Sequence, residues 1–197
     1  MEPIPAMDEE FNDWYDLEHL PQMQGVPGID TANRFVTVEG WPRYLAIYDL
    51  AKFAVLRSDE YRAMTGSRFT PWSRRILARV KGWQRMTFVQ QWPGSATMSR
   101  DCGALLAYMY KGNPELRDAA ERLAREPGVV QARAFGPGEE TNEGGVLIVE
   151  CGAVQDLPHS LAGLVTVSGG SVAFSAAYAR YWRTDPVARF HSLEHDQ

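Results

Sequence analysis

The chain has 197 residues, 45% hydrophobic and 23% charged, which suits one large folded domain or two small ones and excludes disordered, collagen-like and coiled-coil chains. Lys and Arg total 20 against 25 Asp and Glu, a net charge of -5, so the basic surplus that neutralises nucleic-acid phosphates is missing. Apolar runs fall short of a membrane span, the acidic start MEPIPAMDEEF is no signal peptide, and Cys102 and Cys151 are too few for a disulfide framework; the expected setting is cytoplasmic, with no nucleic-acid or membrane partner.

Residues 8–20 place Phe11, Trp14, Tyr15 and Glu18 on one stripe at three- and four-residue spacing, which predicts a helix with His19 at the stripe's edge. Only Met1–Ala6 precedes it, so either Met1–Ile4 is the stub of an opening strand or the true start lies upstream. Pro27-Gly28 stops the helix, and strands follow over 34–38 and 43–50 around Glu39-Gly40-Trp41-Pro42. A helical stretch over 53–80 and an aromatic strand over 83–91 close this half. A short polar linker, 93–98, leads to a strand over 104–110 and a helix over 114–125, opened by Asn113-Pro114 as cap and first residue. Strands over 130–135 and 145–151 flank an acidic Gly-Pro loop. A second helical stretch at 154–165, an aromatic strand over 172–182 and a polar tail over 186–197 complete the chain.

These elements fall into two diverged copies. Pro27-Gly28-Ile29-Asp30-Thr31-Ala32-Asn33-Arg34-Phe35 recurs one hundred positions later as Pro127-Gly128-Val129-Val130-Gln131-Ala132-Arg133-Ala134-Phe135. Each copy reads β-α-β-β-α-β, the ferredoxin-like unit. The expected fold is therefore α+β, with tandem units over 1–93 and 100–185.

The pattern Phe11-x-x-Trp14-Tyr15-x-x-x-His19-x-Pro21, followed by Val26-Pro27-Gly28 and Arg34, resembles the EthD-like branch of the dimeric α+β barrel superfamily. Tyr61 in Ser58-Asp59-Glu60-Tyr61 and Trp72 in Thr70-Pro71-Trp72-Ser73 look like further positions of that group. The likeness covers residues 8–90; the second half fits at the level of fold. It implies a sheet whose concave face encloses a small-molecule cavity, and two sheets that pair to close a barrel. A tandem chain could make that pairing within itself. The superfamily includes lactone isomerases, cyclases, cofactor-free monooxygenases and haem enzymes, so it does not fix a reaction.

Glu18 lies at the centre of an aromatic stripe, where an unpaired carboxylate is costly, so it calls for a partner: Arg34, Arg43 or a substrate. His19 exchanges a proton near neutral pH and suits general acid–base work, or else caps its helix by bonding a backbone carbonyl. Tyr44 and Tyr48 share one face of their strand; facing a barrel interior they would orient a substrate oxygen, and otherwise they are sheet packing. Tyr15 and Arg34 join them as substrate-binding candidates. Arg85 alternates with Trp83 and Thr87 and either binds a carboxylate or is solvated, while Tyr61 and Trp72 wall the cavity. His159 lacks the arginine-rich surroundings of a haem ligand, and His191 and His195 sit in the polar tail. Cys102 and Cys151 have no CxxC spacing and read as inert buried thiols. No zinc, P-loop or dinucleotide motif is present, so neither a metal nor a cofactor is expected.

The expected function is a cofactor-independent isomerase, cyclase or lyase acting by proton transfer on a small organic acid, lactone or aromatic, with His19 and Glu18 catalytic. The alternative is a non-catalytic small-molecule-binding or accessory protein of the same fold. The short first strand leaves a sheet edge to be covered, and with the aromatic surplus that points to a homodimer.

Overall fold

The repeated Pro-Gly step turns the chain the same way twice. In the computed structural model, which describes residues 1–139, 143–157 and 167–181, Gly28 and Gly128 adopt φ of 89° and 83°, a region glycine enters without steric cost. Packing forbids a side chain there as well. A Cβ would lie 2.6 Å from Val55 Cγ2 at Gly28 and 2.9 Å from Asp156 Cβ at Gly128. Each glycine leads into a long strand, β2 (Ile29–Glu39) and β7 (Val129–Pro137). Both strands bulge at the second residue, Asp30 and Val130.

The other strands are β1 (Glu2–Pro3), β3 (Tyr44–Leu50), β4 (Val80–Lys81), β5 (Phe88–Trp92), β6 (Ala104–Gly112), β8 (Gly145–Cys151) and β9 (Gly170–Arg180). In the second half they lie in the order β9-β6-β8-β7, all antiparallel. In the first half β4 pairs with β1, and Met1 and Tyr44 exchange two backbone hydrogen bonds of 2.8 and 3.0 Å. Since β3 pairs with β2, this half runs β4-β1-β3-β2. Both halves thus have the ferredoxin-like order, fourth-first-third-second, and the stub at the start of the chain is a real strand of only two residues.

The halves join edge to edge. β2 pairs with β9, and β5 pairs with β7. The seven strands β3-β2-β9-β6-β8-β7-β5 form one curled, barrel-type sheet within a single chain, with β1 and β4 tied to β3 through Met1 and the helices outside. The pairing of halves that a tandem chain allows is thus made within one molecule.

The alternation of each strand sorts its residues between two layers. Phe35, Leu105, Ala107, Ile148, Ala176 and Tyr178 point inward and pack with Met98 and Cys102. Outside, Leu116, Ala119, Ala120 and Leu123 cover the second sheet, and Phe11, Trp14 and Tyr15 cover the first with Tyr44 and Ile76. The first helical region comprises α1 (Asp8–Trp14), a π-turn (Tyr15–His19) and α2 (Leu20–Gln24). The long helix expected over 53–80 is broken into 3-10 turns at Phe53–Arg57 and Gly66–Arg68 and two short helices, α3 (Asp59–Arg62) and α4 (Pro71–Leu77). Gly66 at φ 60° and Pro71 interrupt it. Asn113-Pro114 does not open the next helix: α5 spans Arg117–Leu123 with Leu116 as N-cap. Most of the second helical stretch, His159, Trp182 and the tail with His191 and His195 lie outside the described residues.

The short polar linker enters the barrel mouth, burying Met98 to 4% exposure.

Candidate functional site

Pro21 explains the local geometry of the predicted site. It has no N–H to give the Leu17 carbonyl, and its ring crowds that carbonyl in a regular helix. The chain responds with a π-turn in which Leu20 N–H donates to Tyr15 O, one residue further back than in an α-helix. Such turns often mark functional positions. The extra residue rotates the side chains beyond it, so the His19 ring stacks on Trp14 (4.8 Å, 14°) and meets Tyr15 edge-on (5.0 Å, 90°).

Glu18 finds partners other than the expected arginines. Its Oε1 accepts from Thr70 Oγ1 (2.6 Å), Ser73 Oγ (2.8 Å) and Trp14 Nε1 (3.1 Å). Thr70 is the N-cap of α4, accepting from Ser73 N, so Glu18 ties the π-turn to the start of α4. Arg34, 3% exposed, pairs instead with Asp16 and donates to Asn12 Oδ1 at 2.7 Å. Its guanidinium lies 4.1 Å from the Tyr15 ring centroid and 4.3 Å from that of Tyr181, a cation–π sandwich that offsets part of the desolvation. Arg43 pairs with Asp8 at 3.0 Å.

Tyr15 and Tyr48 share a 2.6 Å hydroxyl–hydroxyl hydrogen bond, and burial pushes the Tyr15 phenol up to about 12. Tyr44 donates to Asp8 Oδ1 and accepts from Asn12 Nδ2, both at 3.0 Å. Both strand tyrosines face the helices rather than the barrel interior, because they alternate with the inward Leu45 and Ile47. The predicted residues Tyr15, Glu18, His19, Arg34, Tyr44 and Tyr48 are therefore gathered, but in the seam between helix and sheet. Burial of Phe11, Trp14 and Tyr15 contributes roughly 1.5–3 kcal/mol per ring, enough to hold the seam as a core.

His19 remains chemically open within it. Burial lowers its pKa to about 4, against the opposing influence of Glu18, so the imidazole is neutral at pH 7. Its Nδ1 is buried without a hydrogen-bond partner, as is Trp72 Nε1. Tyr61 and Arg85 form a separate pair, Arg85 NH1 donating to Tyr61 OH at 3.0 Å. Arg85 is not on a strand: residues 82–87 form a loop between β4 and β5. Both thiols are buried and pushed up, Cys102 to about 12 and Cys151 to about 11, which fits inert sulfur. Among the described residues no three His, Cys, Asp or Glu side chains gather as metal ligands.

A second polar cluster, inside the barrel, was not among the candidates. Arg133 NH1 lies 2.7 Å from Asp49 Oδ1, and its Nε 2.7 Å from Glu150 Oε1. The bulged registers pair Thr31 with Asp49 and Gln131 with Glu150, so the two acids occupy equivalent places in the two halves. The linker binds to this cluster. Met98 N donates to Asp49 Oδ2 (2.7 Å), Ser99 N to Glu150 Oε2 (2.9 Å), and the Ala96 and Thr97 carbonyls accept from Gln90 and Gln131 (2.8 and 3.0 Å). The signal was present in the sequence, since Glu150 ends the apolar run Val146–Val149 and a charge in such a run needs a partner.

Beside this plug the barrel wall parts. β2 stays with β9 only as far as Phe35 and the Tyr181 N–H to Arg34 O bond of 2.9 Å. Before that point a cavity of about 320 Å³ separates it from the linker, lined by Thr31, Ala32, Asn33, Ser99, Arg100 and Arg180 among others. None of the predicted site residues lines it. A smaller cavity of about 100 Å³ lies among Phe53, Arg57, Thr87 and Glu139.

No family model matches the chain, and no curated protein matches its sequence. A crystal structure from Lactobacillus acidophilus NCFM, described as that of a "putative monooxygenase", is similar over 86% of this chain and 88% of that one, with 11% identity and a TM-score of 0.40.

Proposed function

We propose that this chain is a small-molecule-binding protein whose ligand occupies the cavity beside β2. The observation that carries this reading is the cavity itself, about 320 Å³, within the range of about 300–1,000 Å³ usual for small-ligand sites. Support comes also from the seam, where Glu18, Arg34, Tyr15 and Tyr48 are engaged with one another or with neighbouring side chains. Such groups hold a fold together more readily than they move protons.

Native mass spectrometry of the full chain tests it. A small molecule retained under native conditions, lost on denaturation and absent from Ser99→Phe, which fills the cavity, is the expected result. No retained mass, and no thermal shift across a metabolite library, would end this reading.

A second reading, cofactor-independent acid–base catalysis at His19, is favoured by its buried, unpartnered Nδ1 at a π-turn. A pKa of about 4 leaves the imidazole fully able to accept a proton at pH 7, though as a weak base. If the seam is the site, turnover of a substrate found by the same screen falls on His19→Ala and survives Ser99→Phe. The opposite pattern favours the cavity.

A further inference from the structure

We infer that the cavity beside β2 selects a small organic anion, held by its carboxylate. This rests on the cavity being the ligand site and adds the ligand's chemical class. The lining is rich in donors. Arg180 NH2 donates to Asn33 Oδ1; a guanidinium can only donate, so the amide must turn its oxygen to Arg180 and leave Nδ2 as its outward, donating end. Asn33 is 7% exposed and lines the cavity, so that end is both positioned and shielded from bulk water.

Ser99 contributes a hydroxyl. Arg100 and Arg180 contribute two positive charges against one negative charge, Asp30. Among the described residues no acid pairs with the Arg100 guanidinium, whereas Arg180 is engaged with the Arg100 and Cys102 carbonyls at 3.2 Å. Arg180 therefore orients Asn33 and supplies field, and Arg100 is the group to meet the anion. A carboxylate offers two acceptor oxygens to this set, and charge-assisted bonds of this kind are roughly twice as strong as neutral ones. The apolar walls, Ile29 and Met98, suit a short hydrocarbon or ring behind the carboxylate.

Calorimetric or ligand-observed NMR titration of the full chain with paired probes tests this: acetate, benzoate and succinate against acetamide, benzamide and succinamide. At least one acid is expected to bind about tenfold more tightly than its amide. Arg100→Gln should remove most of that preference, weakening the acid far more than the amide; Asn33→Leu should weaken the acid too, and if it does not fold, the surface change at Arg100 still decides. Equal affinity of acid and amide, or a preference untouched by Arg100→Gln, overturns the anion assignment while leaving a ligand cavity in place. No binding of any probe below about 10 mM, with no mass retained in native spectra, overturns both.

Discussion

Replacing Arg133 with Met tests whether the barrel is locked by its interior ions. The side chain is 0% exposed, as is that of Glu150, and Asp49 is 11% exposed. Methionine keeps much of the length but strands two carboxylates. Removing one partner of a buried ion pair costs about 3–5 kcal/mol. Here Thr31 and Met98 N still donate to Asp49, and Ser99 N and Gln131 to Glu150, so the lower end, about 3 kcal/mol, is expected. That is a large share of a typical stability of about 5–15 kcal/mol. With a urea m-value of about 2–3 kcal/mol/M, the midpoint should fall by about 1–1.5 M at pH 7. The sign of the pH effect is also set. Burial already holds the Glu150 carboxyl above its ordinary range even with Arg133 beside it, and without the cation it rises further. A raised carboxyl favours the folded state as pH falls, so the deficit should narrow between pH 7 and pH 5. A midpoint drop under about 0.3 M, or one identical at both pH values, would show that the triad does not fasten the halves.

Other groups yield separate tests. His19, neutral in the fold with a pKa lowered from 6.5 to about 4, contributes stability that is intact above pH 6.5 and lost as pH falls toward 4; NMR should find it titrating well below the unfolded value, and a midpoint near 6.5 would contradict its burial. Glu18→Gln keeps the shape but weakens the bonds from Thr70, Ser73 and Trp14, and should cost about 1–2 kcal/mol with altered tryptophan fluorescence; unchanged stability and spectrum would remove its role as the tie to α4. Gly28→Ala should destabilise by more than about 1 kcal/mol, since φ is 89° and Val55 stands in the way. Gly25→Ala, whose Cβ has neighbours no nearer than 3.5 Å, is the control and should be near neutral in thermal melts.

The closed barrel changes what the linker does. In a chain whose halves pair their own edges, the connection between them starts where β5 ends and must reach β6 across the barrel mouth. The polar residues that meet it, Gln90, Gln131, Asp49 and Glu150, satisfy its backbone groups, as buried peptide groups require. With Met98 seated among the inward side chains, the barrel interior is core, and the ligand-sized space is displaced to the gap in the wall.

Local grammar was legible in the amino-acid order. The Pro-Gly repeat, the period-two strands and the aromatic stripe on the first helix are short-range signals, and with them came the ferredoxin-like unit and its duplication. The helical spacing grouped Tyr15, Glu18 and His19, and the packing of that helix on the sheet brought Arg34, Tyr44 and Tyr48 to the same seam. Which group partners which was settled only by the folded chain. Glu18 could not be assigned to Thr70 and Ser73, because the distance along the chain is 52 and 55 residues and the π-turn that aims it arises from Pro21. Which face of β3 looks into the barrel depended on the closure of two sheets, a property of no single strand. The lock between Asp49, Arg133 and Glu150 likewise exists only once residues 84 apart in the chain are brought within 2.7 Å, since a buried charge in the sequence demands a partner without naming it.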